Sequence, residues 1–403
     1  MPSRRFDILI AGAGPAGIAA ACAASEGGGS IGVVDASPAA GGQIWRGETS
    51  PWLKRFDAAR VEFLPHTQVL DAPSPGTLLA CSAGEPIELS FNSLILATGA
   101  RELFLPFPGW TLPNVIGAGG LQALVKGGWP ISDRRVIVAG TGPLLLAVAK
   151  YLRKRGATVP LIAEQAPWSG IVRFGWTLVR QPAKLAQAVA LRIDSPRYLT
   201  GCWPVRAERA AVTLRRGDRT WSEPCDYLAC GFGLTPNLEL ASLLGCRLDA
   251  GFVSVDEWQR TSLENVYCAG EPVGIGGVEQ ALAGGEIAGY AAAGLRKKAM
   301  ERFGTRGRAL RFRRELARAF TLRDELKSLP SPDTIVCRCE DVAFARLTKY
   351  RSWRSAKLQT RCGMGPCQGR ICGPATAFLL GWPPESVRPP IFPAPVDCLT
   401  EGP

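Results

Sequence analysis

Residues 6–11 (FDILIA) form a short unbroken apolar run that passes straight into AGAGPAGIAAACAA, an alanine-rich stretch. A brief apolar run closed by glycines fits a buried parallel strand, and strand, glycine turn and helix in that order open a βαβ unit. A second apolar run, 30–34, ends at Asp35. The pattern recurs in RRVIVAGTGPLLLAVAKYLRKRGATVPLIAE, with a turn at Gly140 and Gly142 and a second strand ending at Glu164. From 295 to 327 a strongly basic, helix-like run replaces the alternation, SLPSPD at 328–333 breaks it, and a small cysteine-rich segment follows. The elements predict an α/β chain with two Rossmann-like dinucleotide-binding domains and a small, helical C-terminal domain.

In the first turn the spacing is Gly12-x-Gly14-x-x-Gly17, with Ala13, Pro15 and Ala16 between. Gly12 allows the tight turn, Gly14 lets backbone approach a pyrophosphate, and Gly17 lets the helix pack on the strand. The helix N-terminus then aims free N–H groups and its positive dipole end at the phosphates. Asp35 stands at about the 20-residue distance at which a carboxylate takes ribose hydroxyls, and it disfavours a 2′-phosphate, so FAD or NAD is expected rather than NADP. In the second unit Leu145 occupies the third glycine position, which pushes the helix from the turn. NAD(H) binding, another adenine nucleotide and a domain retained for structure all remain open there.

Composition narrows the classes. The chain has 403 residues, 46% hydrophobic and 20% charged, enough for roughly two to three domains. A net charge of +12 without any DNA-reading motif excludes a nucleic-acid partner and suits an acidic protein or an anionic membrane face. Ser3-Arg4-Arg5-Phe6 mimics a twin-arginine signal, but cleavage near Ala24 would remove the first strand and its phosphate turn. With no apolar run of about 20 residues, a cytoplasmic protein is expected, at most peripheral on the inner face of the membrane. The only histidine, His66, lies in FLPHTQVL just before Val69, too isolated for a metal or nucleophile centre.

Of 13 cysteines, five (Cys337, Cys339, Cys362, Cys367, Cys372) crowd one C-terminal stretch, which suits metal ligation in a reducing compartment. Cys22, Cys230 and Cys268 stand singly in apolar runs and read as core residues. Cys337-x-Cys339 with Cys367-x4-Cys372 supplies the four thiolates that a [2Fe-2S] cluster needs, and the glycines around Pro366 offer backbone N–H groups to its sulfurs. Structural zinc on the same four residues is the alternative. Cys362 lies outside that set but repeats the second spacing with Cys367, so the spacing leaves open whether it replaces one of the four. No cysteine pair lies beside either glycine motif, which removes a thiol–disulfide relay.

Gly41-Gly42-Gln43, LILATGAR at 94–101 with Ala97-Thr98-Gly99, and NVYCAGEP at 265–272 followed by EQALAGGEIAG resemble the flavin-lining segments of two-dinucleotide-domain flavoproteins. That resemblance selects FAD and implies that Gly270 and Glu271 hold its ribityl or phosphate portion, with the helix after Gly277 beneath the isoalloxazine. It implies a cofactor-side position for Val69 as well. The family usually carries Asp where this chain has Glu271. IVCRCEDV and TRCGMGPCQGRICG are similar to the bacterioferritin-associated-ferredoxin-like [2Fe-2S] domain. With RELFLPFPGWTLPNVIGAGGLQALVKGG at 101–128 and GFGLTPN at 231–237, nearly the whole chain resembles the large flavin subunit of heteromeric opine, proline or hydroxyproline dehydrogenases, a group that includes a hydrogen cyanide synthase subunit.

The resemblance implies an FAD-binding domain over 1–125 and 240–295, an inserted nucleotide domain over 126–239 holding NAD or ATP if occupied, a basic linker over 296–330 and a [2Fe-2S] domain over 331–403. It implies that an amino-acid-oxidase-like partner and a small ferredoxin-like subunit complete the complex, with electron flow to a respiratory acceptor. Rival readings are a self-contained NAD(P)H:acceptor reductase and a non-catalytic scaffold with zinc.

Overall fold

The first apolar run becomes β1 (Ser3–Ala11), which leads through Gly12 into α1 (Pro15–Ala24). Five further strands follow: β2 (Ile31–Val34), β3 (Glu62–Leu64), β4 (Thr67–Ser74), β5 (Thr77–Ser82) and β6 (Glu85–Leu96). The computed structural model describes residues 1–179, 185–186, 190, 196–382 and 387–400. It divides into Met1–Arg101 with Pro236–Arg313 and Ser386–Pro403 as one unit, and Glu102–Thr235 with Arg314–Glu385 as the other.

In the first unit the sheet order is β3-β2-β1-β6-β5-β4, with strand Val266–Cys268 parallel to β6. Ala11 pairs with Val34 on one side and Leu96 on the other, so the carboxyl ends of β1, β2 and β6 finish level. Ligands of open parallel sheets bind beyond such ends. The helix Val278–Ala292 packs closely on α1: a Cβ at Gly285 would stand 2.2 Å from the Ala16 carbonyl oxygen.

The basic run expected as a linker is a 24-residue helix, Arg296–Ala319. One face is tied into the first unit through Lys298–Glu26 at 2.6 Å, Arg302–Glu286 at 3.3 Å and Arg313 donating to the Val273 carbonyl at 2.8 Å, with Ala299 buried. Pairing these cations with acids and a carbonyl lets a helix this basic dock without burying unpaired charge.

The second unit holds a parallel sheet in the order Arg197–Thr200, Leu161–Glu164, Val136–Gly140, Tyr227–Gly231, Val115–Gly117. Its helix Leu144–Lys154 buries Leu145, Val148, Ala149 and Leu152. A three-stranded antiparallel sheet, Cys202–Ala207, Ala211–Arg216 and Arg219–Pro224, follows. Within the second unit the cysteine segment has a small core of its own: the strand pair Ile335–Cys337 and Val342–Ala343, and helices Trp353–Thr360 and Cys372–Leu380 around Val336, Leu347, Trp353 and Ala356. The tail beyond it, expected with the cysteines, leaves that body and joins the first unit, where Ile391 N–H donates to the Leu70 carbonyl at 2.8 Å. Among the described residues no helix is long and apolar enough to cross a membrane.

Candidate functional site

Three glycines shape the first turn in different ways. Gly12 has φ 111°, a conformation that L side chains rarely adopt. A Cβ on Gly17 would stand 1.8 Å from the Gly12 carbonyl oxygen, so only glycine lets α1 start this close to the turn. Around Gly14 nothing among the described residues lies within 4 Å of the Cβ position, which leaves the backbone open on its outer side. Gly14 caps α1 without any side-chain acceptor, Pro15 follows it, and the first turn carries no acid. The positive end of α1 is therefore left for an anion.

Asp35, half-buried at the end of β2, accepts from Ala13 N–H through Oδ2 at 2.7 Å and from Ser37 N–H through Oδ1 at 2.8 Å. One backbone donor per oxygen leaves lone pairs for ribose hydroxyls. Gly41 N–H donates to the Ala13 carbonyl at 2.8 Å, Gly42 lies against Gly14, and Gln43 next to them is exposed. Ala97 N–H donates to the Ala11 carbonyl at 2.9 Å, and the Ala97 carbonyl faces Gly12. Val69 is buried in the sheet core on β4, whose first residue, Thr67, donates its N–H to the Asp35 carbonyl at 2.9 Å.

Asn237 gathers the next segment. Its side-chain amide donates to the Thr98 carbonyl at 2.8 Å, its main-chain carbonyl accepts from the Thr98 hydroxyl at 2.7 Å, and its N–H donates to the Gly99 carbonyl. Arg101 donates to the Asn237 side chain at 2.7 Å and pairs with Glu239 at 2.8 Å. GFGLTPN contains this asparagine, but nothing in that motif tells which polar side chain turns inward. At Gly270 φ is 84°, and Glu271 accepts from the N–H groups of Gly276 and Gly277, each at 3.2 Å. Burial pushes the Glu271 carboxyl above its ordinary range. Gln280, 3% exposed beside these glycines, donates its amide to the Gly274 carbonyl at 2.7 Å, while its Oε1 is buried with no partner among the described residues. An orphaned acceptor costs about 1–3 kcal/mol unless a ligand donor reaches it, and the imide N–H of an isoalloxazine is such a donor. An open glycine turn, a carboxylate with free lone pairs and an orphaned acceptor fit FAD.

The second turn repeats the outline with a different ending. Gly140 has φ 137°, and a Cβ there would meet the Gly231 carbonyl oxygen at 1.9 Å. Around Gly142 there is open space, as around Gly14. Leu145 is fully buried. Glu164 has no exposure, and its carboxylate accepts from Thr141 Oγ1, Ala166 N–H and Gly142 N–H at 2.8 Å and from the Tyr198 hydroxyl at 3.2 Å. Burial raises its carboxyl above the ordinary range despite these donors.

Three of the five C-terminal cysteines meet directly, and the other two adjoin them. The sulfurs of Cys337, Cys362 and Cys372 lie within 4.8 Å of one another, and all three residues are buried. Cys367 interacts with Cys372 and with the exposed Cys339, which completes the set. Cys362, outside the four-cysteine signature, is thus inside the cage. Arg361 at φ 66° and Gly363 at φ 81° flank it and turn it inward. Gly363 N–H donates to Cys337 Sγ at 3.5 Å. Cys337 accepts from Cys362 and Cys372, which holds its thiol well below the usual range, while Cys372, donating to its neighbours, is pushed up. Five thiols with a backbone donor fit a thiophilic centre, iron–sulfur or zinc. His66 is exposed and takes no part in this cage.

The family model described as pyridine nucleotide-disulphide oxidoreductase matches residues 6–288. An opine oxidase subunit of Rhizobium meliloti (strain 1021) is 30% identical over 91% of this chain and 90% of its own length. The hydrogen cyanide synthase subunit HcnB of Pseudomonas protegens is 29% identical over 90% of this chain and 89% of its own. Among solved structures, the L-proline dehydrogenase from P. horikoshii superposes with a TM-score of 0.67 at 18% identity, covering 99% of this chain and 80% of that one, which speaks for the fold.

Proposed function

The chain belongs to the pyridine nucleotide-disulphide oxidoreductase family and is an FAD-dependent oxidoreductase, and we propose that it is the electron-transfer subunit of a heteromeric amino acid dehydrogenase of opine, proline or hydroxyproline type. The observation that carries this reading is the cage of cysteines appended to a flavoprotein fold, in a sequence with no Cys-x-x-Cys or Cys-x4-Cys in its flavin-lining segments. Relatives named as subunits of opine oxidase and hydrogen cyanide synthase support it. An amino-acid-oxidase-like partner oxidises the C–N bond, a small ferredoxin-like subunit completes the complex, and electrons leave to a respiratory acceptor from the cytoplasm or the inner face of the membrane.

FAD supplies acceptance of electrons in pairs and release one at a time, and a [2Fe-2S] cluster supplies single-electron transfer. The chain's residues do the holding. The start of α1 neutralises the pyrophosphate, Asp35 fixes the ribose, and Gln280 offers its free acceptor to the ring. Cys337, Cys339, Cys367 and Cys372 would hold the cluster, with Cys362 packed against Cys337 and Cys372, and the Gly363 N–H on Cys337 Sγ would tune it. Exposed Cys339 marks the side of the cage from which a partner draws current.

A self-contained NAD(P)H reductase is the second reading, favoured by the Gly140 and Gly142 turn. Against it stands Glu164, whose acceptor sites are already filled by Thr141, Gly142, Ala166 and the Tyr198 hydroxyl. An absorption spectrum with metal analysis, before and after dithionite, tests the first reading: flavin bands and about two irons per chain are expected. Zinc in place of iron sinks the electron exit and favours a structural cage. Rapid bleaching of the flavin by NADH alone hands the case to the reductase.

A further inference from the structure

Most cysteines outside the cage sit singly among aliphatic side chains, but Cys81 and Cys398 do not. They are 317 residues apart in sequence, and Cys398 Sγ donates to Cys81 Sγ at 2.7 Å, with the Gly84 carbonyl as a second acceptor at 3.2 Å. Cys81 lies on β5, and Cys398 lies in the short helix Asp397–Thr400 at the end of the tail that Ile391 seats on β4. Leu70, Phe392 and Ala394 close an apolar cluster around the pair. Both sulfurs belong to the first unit.

The two thiols differ in access. Cys398 is 1% exposed. Cys81 lines a cavity of about 270 Å³ shared with Ala36, His66, Gln68 and the tail's Pro393 and Pro395. Ala36 and His66 are exposed, so the cavity reaches the surface beside the residue that follows Asp35. Cys81, 9% exposed, lines this cavity and Cys398 does not, so a small molecule entering it reaches Cys81 first. Burial and the neighbouring Cys81 sulfur keep the Cys398 thiol protonated.

We propose that Cys81 and Cys398 are a redox clasp, a reversible disulfide that pins the C-terminal tail to β5 when a low-molecular-weight disulfide enters this cavity. Cys81 loses its proton and attacks one sulfur of the small disulfide, whose S–S bond breaks, releasing one small thiol and leaving a mixed disulfide on Cys81. Cys398 then gives up its proton, its sulfur attacks Cys81 Sγ, and the second small thiol leaves. Two protein thiols lose two electrons, and the small disulfide gains them. At rest the pair is reduced, in keeping with a reducing compartment. The clasp needs neither flavin nor cluster, so it stands apart from the proposed electron path.

The test uses the full-length protein with its cofactors, incubated with oxidised glutathione, alkylated and mapped as peptides without reduction. The expected result is a cross-linked peptide joining Cys81 and Cys398 that disappears with dithiothreitol. In Cys398→Ser, Cys81 is expected to accumulate the glutathione adduct, and in Cys81→Ser, Cys398 is expected to stay free. Free alkylated Cys81 and Cys398 in the oxidised wild type would overturn the clasp, as would an adduct on Cys398 in Cys81→Ser. Flavin and cluster absorbance, followed in the same sample, separates cage oxidation from the clasp.

Discussion

In the first unit Asp35 ends its strand half-buried, with one backbone donor on each oxygen; in the second, Glu164 ends the equivalent strand with no exposure and four donors. The extra methylene of glutamate carries the carboxylate past the residue between the glycines to Gly142 itself, where Asp35 stops at Ala13. Four donors saturate the oxygens, so ribose hydroxyls find no acceptor. At the third position Gly17 lets its helix touch the turn, whereas Leu145 fills that space with a side chain. Two turns of nearly the same spelling thus make an open corner, where the acid keeps free lone pairs, and a closed one, where the acid's acceptors are taken up within the protein. A fingerprint reports backbone shape, while the acid's length and the third residue decide access.

The most forceful way to break this contrast is Gly17→Val. A Cβ 1.8 Å from the Gly12 carbonyl oxygen cannot be accommodated without moving α1, so flavin-free or insoluble protein is expected. Holoprotein with normal flavin content would show that α1 is not held against the turn. Leu145→Ala attacks the other corner: it empties a fully buried site and should cost about 2–5 kcal/mol in denaturant unfolding. Flavin content should stay unchanged. Flavin loss with Leu145→Ala would mean that the second turn supports the first site. Asp35→Asn is milder. Losing a charged acceptor for ribose is worth about 1.5–3 kcal/mol, or roughly 10- to 100-fold in FAD affinity. Unchanged affinity, measured by flavin release on dilution, would remove Asp35 from the ribose.

The open corner was legible in the sequence because its determinants are local: Gly12, Gly14, Gly17 and Asp35, within one βαβ unit, set strand, turn and helix together. What escaped depends on distant partners. Asn237 acts on Thr98, 139 residues away, and no spacing rule links them. Gln280 becomes an orphaned acceptor only because the loop from Gly274 to Gly277 folds over it. Glu164 was readable as an acid at the right distance, but its burial depends on Tyr198, contributed by another strand. In the cage, spacing grouped the cysteines into pairs yet could not tell that Arg361 and Gly363, both at positive φ, rotate Cys362 among them. Helicity in the basic run was visible, and its docking was not, since that depends on Glu26 and Glu286 from elsewhere in the chain.

The smallest expected effect is also the sharpest on the closed corner. Burial raises the Glu164 carboxyl above its ordinary value of 4.5. A carboxyl whose folded value is raised binds its proton more tightly in the folded state, so its contribution to stability is complete below the unfolded value and is lost as pH climbs through the raised one. Gln turns an NH2 toward either the Gly142 or the Ala166 N–H, a clash of donors at every pH that the neutral carboxyl escapes because both its oxygens still accept. Glu164→Gln should therefore melt below wild type near pH 4, by a margin that narrows as pH rises and wild type alone loses stability. Flavin content should be the same in both. If wild type gains on the variant as pH rises, the four donors outweigh burial and Glu164 is a fixed internal anion. In that case the second turn already holds its negative charge, and a nucleotide phosphate would be repelled rather than merely unassisted.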